Sequence, residues 1–95
     1  MDLAESVKEQ LRSLSANQRA LILASIETQL THEPFRETRN RKALRPNPLA
    51  PWELRVGDLR AFYDLAPDDP NVIRILAVGE KRGSRLFIAG KEVQL

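Results

Sequence analysis

The 95-residue sequence has no cysteine, which removes disulfide frameworks and thiolate chemistry. It has a single histidine, too few for the usual zinc clusters, and contains no nucleophile elbow, no phosphate-cradling glycine loop and no paired metal-ligand motif. No metal and no cofactor are expected. The sequence also lacks eighteen consecutive apolar residues. Its start, MDLAESVKEQ, carries acidic groups where a secretory signal has a basic head and an apolar run. A cytoplasmic protein with no membrane partner is expected. What is present, 42% apolar and 29% charged residues, suits a folded chain, and the length gives room for one domain spanning 1–95.

The net charge of +2 conceals an uneven distribution. Residues 1–33 hold three basic and five acidic side chains, whereas residues 34–95 hold twelve basic and eight acidic ones. The densest stretch is RETRNRKALR, in which Arg36, Arg39, Arg41, Lys42 and Arg45 face Glu37 alone. Such a cluster attracts polyanions, phosphate backbones above all, although a solvated basic loop has the same composition.

The first third reads as two helices. Ser6 to Glu9 fits a capping box, and Val7, Leu11 and Leu14 follow at helical spacing. Ser15 to Gln18 repeats the box at once, so a helical hairpin is expected, the second helix facing inward through Ala20, Leu23, Ala24, Ile26, Glu27 and Leu30 and stopping before Pro34. Thr31 to Pro51 is a proline-bearing connector carrying the basic cluster. The period then changes from 3.6 to 2. Trp52, Leu54 and Val56 alternate with Glu53 and Arg55, Gly57-Asp58 offers a two-residue turn, and Leu59, Ala61, Tyr63 and Leu65 alternate with Arg60, Phe62 and Asp64. Ala66 to Asn71 is a turn cluster, and Val72 to Val78 is a nearly continuous apolar run that suits a central strand. Gly79 to Ser84 breaks it, and Arg85–Ile88 with Val93–Leu95 form a last ribbon around Ala89-Gly90. These elements make an α+β fold: an N-terminal helical hairpin on one face of a mainly antiparallel β-meander, with the other face free for function.

In the hairpin register set by Gly57-Asp58, Trp52 faces Tyr63, Glu53 faces Phe62 and Arg55 faces Arg60. Two cross-strand arginines repel unless an anion lies between them. A bound phosphate or an internal carboxylate, Glu53 or Asp64, would serve equally. Glu80 to Arg85 adds Lys81, Arg82 and Arg85 in a glycine-bounded loop. An electropositive cleft for single-stranded RNA follows, with Phe62 or Phe87 available either to stack on a base or to fill the core. His32 reads as a helix-end or surface residue.

The string Trp52–Tyr63 (WELRVGDLRAFY), followed by Ile75–Arg82 (ILAVGEKR), resembles the RelE/ParE superfamily of toxins from bacterial type II toxin–antitoxin systems. Lys42-Ala43-Leu44-Arg45, the leading helical hairpin and Arg85–Ile88 fit the same pattern, so the resemblance covers nearly the whole chain. It implies a metal-independent, ribosome-associated mRNA endoribonuclease neutralised by an antitoxin protein. The alternatives are a ParE-like inhibitor of DNA gyrase and a decayed toxin that only binds its antitoxin. Carried over by position, Arg55, Arg60 and Lys81 are the catalytic cations. Glu53 stands where RelE toxins have a lysine and is the candidate base, and Phe87 stands where they have a late tyrosine. Arg39, Arg41, Lys42, Arg45, Arg82, Arg85 and Phe87 are the expected RNA contacts. Relatives place a full strand before the first helix. Only Met1 to Glu5 is available here, so that strand is expected to be short or missing, which leaves a sheet edge open.

Overall fold

Each element can be traced to a local cause in the computed structural model, which describes all 95 residues. The first strand is reduced to β1 (Asp2–Leu3), which pairs in parallel with a later strand, Leu3 beside Ile75. Helix α1 (Glu5–Arg12) follows directly. The Ser6 capping box does not form: Ala4 is the cap residue, its own amide still bound to the Ile75 carbonyl at 2.9 Å, so the chain passes from strand to helix before Ser6 is reached. Helix α2 (Ala16–Leu30) starts on the expected box, with Ser15 accepting from the Gln18 amide and the Gln18 side chain accepting from the Ser15 amide. Its buried stripe is Ile22, Ile26 and Leu30. Ala20, Ala24 and Glu27, expected inside, are exposed, because the larger side chains one step round the helix take the core positions.

The remaining strands are β2 (Arg41–Ala43), β3 (Trp52–Val56), β4 (Leu59–Ala66), β5 (Asp69–Arg82), β6 (Arg85–Ile88) and β7 (Lys91–Val93). They pair antiparallel in the order β2-β3-β4-β5-β6-β7, and β1 joins β5 on the side. Every pair expected across the first hairpin is present, from Trp52 with Tyr63 to Val56 with Leu59. Four expectations are corrected. The last strand is Lys91–Val93, directly after Ala89-Gly90, and not Val93–Leu95. Strand β2 emerges inside the connector. The turn after β4 shrinks to Pro67-Asp68, Asp69 and Pro70 already lying in β5. Gly79 does not break the central strand, which runs on to Arg82 before turning at Gly83-Ser84. Glycine is required at position 79 for a different reason: a Cβ there would lie 2.6 Å from the Phe87 carbonyl oxygen and 2.8 Å from the Ile88 side chain.

Both faces of the sheet are partly covered. The larger core joins Val7, Leu11, Leu14, Ile22, Ile26 and Leu30 to Leu54, Leu59, Ala61, Tyr63, Ile75 and Val78. Helix α1 also supplies a hydrogen bond to the sheet: Gln10 Oε1 accepts from the Val78 amide at 2.9 Å, on the edge of β5 between β1 and β6. The opposite face is not wholly free as expected. Residues 44–51 fold onto it and build a second core of Ala50, Phe62, Ala77, Leu86 and Ile88. Asn47 pins this loop, donating to the carbonyls of Arg45 and Ala50 and accepting from the amides of Leu49 and Ala50.

Candidate functional site

Beyond the loop, the second face carries charge. Strand parity places Lys42, Glu53 and Phe62 in one row and Arg55, Arg60 and Gly79 in the next, with Lys81 two residues further along β5. The Lys81 amide donates to the Asp58 carbonyl at 2.7 Å, tying β5 to the turn of the first hairpin.

Glu53 is 3% exposed and lies between the two arginines. Its Oε2 accepts from Arg55 Nε at 3.2 Å, and its Oε1 lies 3.3 Å from Arg60 Nε. The second contact is an ion pair without an aligned hydrogen bond, which leaves Arg60 Nε buried and otherwise unpartnered. Of the arrangements open from the sequence, the internal carboxylate is the one formed. Asp64 takes no part; its carboxylate accepts from the Leu65 amide.

The two arginines differ. The Arg60 side chain is 13% exposed, and its Nη1 donates to the carbonyls of Gly57 and Leu59. Burial draws its pKa below the ordinary value and Arg55 adds to this, while Glu53 and Asp58 oppose it. Gly79 is its cross-strand neighbour, with Leu86 and Ile88 crowding the space a side chain at position 79 would take. The Arg55 side chain is 47% exposed, and its Nη atoms have no protein partner. Together the two rows set Arg55 and Arg60 around one enclosed carboxylate.

The structure gathers some of the expected RNA contacts here and sends others elsewhere. Lys42 is half-buried beside Glu53, and Arg45 is exposed on the loop 44–51. Arg39 is exposed just before β2, where the Asn40 carbonyl accepts from the Arg55 amide at 2.7 Å. Arg41 points to the helical side. It donates to the carbonyls of Gln29 at 2.6 Å, His32 at 3.3 Å and Arg36 at 3.2 Å, closing the C-terminal end of α2. Arg82, Arg85 and Phe87 also lie on the helical side, because β5 continues as a strand and Lys81, not Arg82, shares the parity of Gly79. Arg82 stacks on the Phe87 ring at 4.5 Å and pairs with Glu80, and Arg85 pairs with Glu92. Phe62 is fully buried in the second core. The one tyrosine is on the helical side as well. Burial pushes Tyr63 up to about 12, and its hydroxyl donates to the Pro34 carbonyl. Two positions were not read from the sequence as part of this arrangement: Gly79, and Gln10 bridging helix to sheet.

Compared with known proteins, the chain matches no family model and no curated protein. Among solved structures it matches a chain of the RelBE2 toxin–antitoxin complex from Mycobacterium tuberculosis with a TM-score of 0.69 and 22% sequence identity, over 84% of this chain and 87% of that one. The fold is RelE-like. The α+β architecture expected from helical hairpin, connector and meander is therefore borne out. Within this RelE-like fold, Arg55, Arg60 and Lys81 occupy the sheet face opposite the helical hairpin. The first strand is short, as expected, and no helix is long and apolar enough to cross a membrane.

Proposed function

We propose that the protein is the toxin of a toxin–antitoxin pair and acts as a metal-independent endoribonuclease on ribosome-associated mRNA. The observation that carries this reading is the Arg55–Arg60 pair braced by Glu53, with Lys81 on the same face, in a RelE-like fold. RNA supplies its own nucleophile. The 2′-oxygen attacks the adjacent phosphorus, the bond to the 5′-oxygen breaks, one proton leaves the 2′-hydroxyl and one reaches the departing oxygen. The products are a 2′,3′-cyclic phosphate and a 5′-hydroxyl. Arg55 and Arg60 stabilise the charge that builds on the phosphorane oxygens. Guanidinium groups stay protonated at working pH and cannot act as bases, so proton transfer falls to Lys42, Lys81 or the ion-paired Glu53. The solved relative is a toxin–antitoxin complex, and an antitoxin protein is proposed as this chain's partner too.

Induced expression should halt protein synthesis and leave defined cleavage sites in mRNA by primer extension. The Arg55→Ala variant should leave mRNA intact, and equal cleavage by that variant would remove Arg55 from the site. A second reading, non-catalytic inhibition of DNA gyrase, is favoured by one feature: neither His32 nor Tyr63 lies on the charged face. Intact mRNA with induced DNA breaks would decide for it.

A further inference from the structure

Glu53 admits three roles: proton acceptor, simple counter-charge, or brace. The geometry separates them. Each carboxylate oxygen faces the Nε of a different guanidinium, through a hydrogen bond from Arg55 at 3.2 Å and an ion pair with Arg60 at 3.3 Å. A planar guanidinium held at Nε has its remaining nitrogens fixed in direction. Both Nη atoms of Arg55 are without protein partners. Arg60 Nη1 is held by two carbonyls, while Nη2 makes no hydrogen bond and is not among the buried unpartnered atoms, so it reaches solvent.

We infer that Glu53 is a positioning residue that holds Arg55 and Arg60 by their Nε edges so that Arg55 Nη and Arg60 Nη2 together clamp one phosphate of a single-stranded RNA. The inference rests on the RNA reading above and deepens it. The roles predict opposite signs. If Glu53 only offsets charge, neutralising it tightens RNA binding. If it only accepts a proton, affinity stays constant and cleavage is lost. If it positions the arginines, affinity falls although the net charge rises by one.

The test is fluorescence anisotropy with an RNA oligonucleotide made uncleavable by 2′-deoxy substitution, at several salt concentrations, for wild type, Glu53→Gln and Arg55→Ala. Glu53→Gln should bind more weakly by on the order of tenfold, and both variants should flatten the salt dependence by about one phosphate contact. Unchanged or tighter binding by Glu53→Gln overturns the inference. Nitrogen-15 NMR of the arginine Nε–H groups judges Glu53 without any variant or RNA. Wild type should show slowly exchanging signals for Arg55 and Arg60, and exchange as fast as in the exposed Arg12 would also overturn it. A wild type that shows the slow signals yet binds no RNA removes the functional reading and the phosphate clamp with it, while leaving Glu53 as a brace.

Discussion

Two pairs of arginines face each other across adjacent strands of this sheet, and they solve the same electrostatic problem differently. Arg55 and Arg60 flank Val56 to Leu59 with Gly57-Asp58 at the tip; Arg82 and Arg85 flank Gly83-Ser84. Each pairing sets like charges side by side, which costs stability on its own. The second pair disperses: Arg82 goes to Glu80 and Arg85 to Glu92, with side chains 59% and 69% exposed. Water and separate carboxylates absorb the repulsion. The first pair converges on one buried carboxylate, with Arg60 itself only 13% exposed. Motifs alike in sequence thus yield a solvated surface in one hairpin and a braced charge cluster in the other, and the deciding variable is what packs beside them.

Changes at the buried pair should break this contrast most strongly. Glu53→Ala leaves Arg60 buried and uncompensated and should cost about 3–5 kcal/mol in urea unfolding. Glu92→Ala, which removes the partner of the exposed Arg85, should cost at most about 1 kcal/mol; equal losses would erase the distinction. Gly79→Ala forces a Cβ against the Phe87 carbonyl and should cost about 1–3 kcal/mol while shifting β6. The same melts check it, and a neutral result would show that β6 yields to the added Cβ without strain. Arg55→Ala takes from buried Glu53 its aligned hydrogen bond and should cost about 1–3 kcal/mol; Arg85→Ala should change stability by no more than about 0.5 kcal/mol, and of these two only Arg55→Ala should weaken RNA binding in the anisotropy assay.

One effect appears only in alkali. Tyr63 is raised to about 12 by burial from an ordinary value of 10.0, so the folded state keeps a proton that the unfolded chain releases. Its contribution is complete below pH 10 and is lost as pH rises towards 12. Arg60 acts in the opposite direction, because its lowered pKa means the folded state releases its proton first. A decline in stability between pH 10 and 12 that disappears in Tyr63→Phe therefore belongs to the tyrosine. A decline that persists in that variant has another source.

The first hairpin was legible because a two-residue turn and strict alternation fix register together, and every pair from Trp52 to Val56 follows from them. The Ser15 box was legible because its reach is local. What could not be read depends on packing between distant segments. Gly79 resembles a strand breaker until β6 is laid against it. Once β5 is known to continue, parity alone moves Arg82 away from Lys81, and Phe87 follows across the ladder. The role of Arg41 depends on the end of α2, twelve residues earlier in the chain at Gln29, being folded beside β2. Glu53 could be named from the sequence as a bridge for the two arginines, but its enclosure comes from the finished sheet.

The bond from Gln10 to the Val78 amide has a dynamic consequence. On that edge of β5, between β1 and β6, a helix side chain occupies the place of a strand carbonyl. The proton of that amide is consequently protected only while α1 stays docked, however firmly β4 and β5 hold each other. Hydrogen exchange at Val78 would then report the opening equilibrium of the helical layer, not of the sheet, giving a single-site measure of the fraction of time α1 is lifted and a strand edge bared in the middle of the molecule.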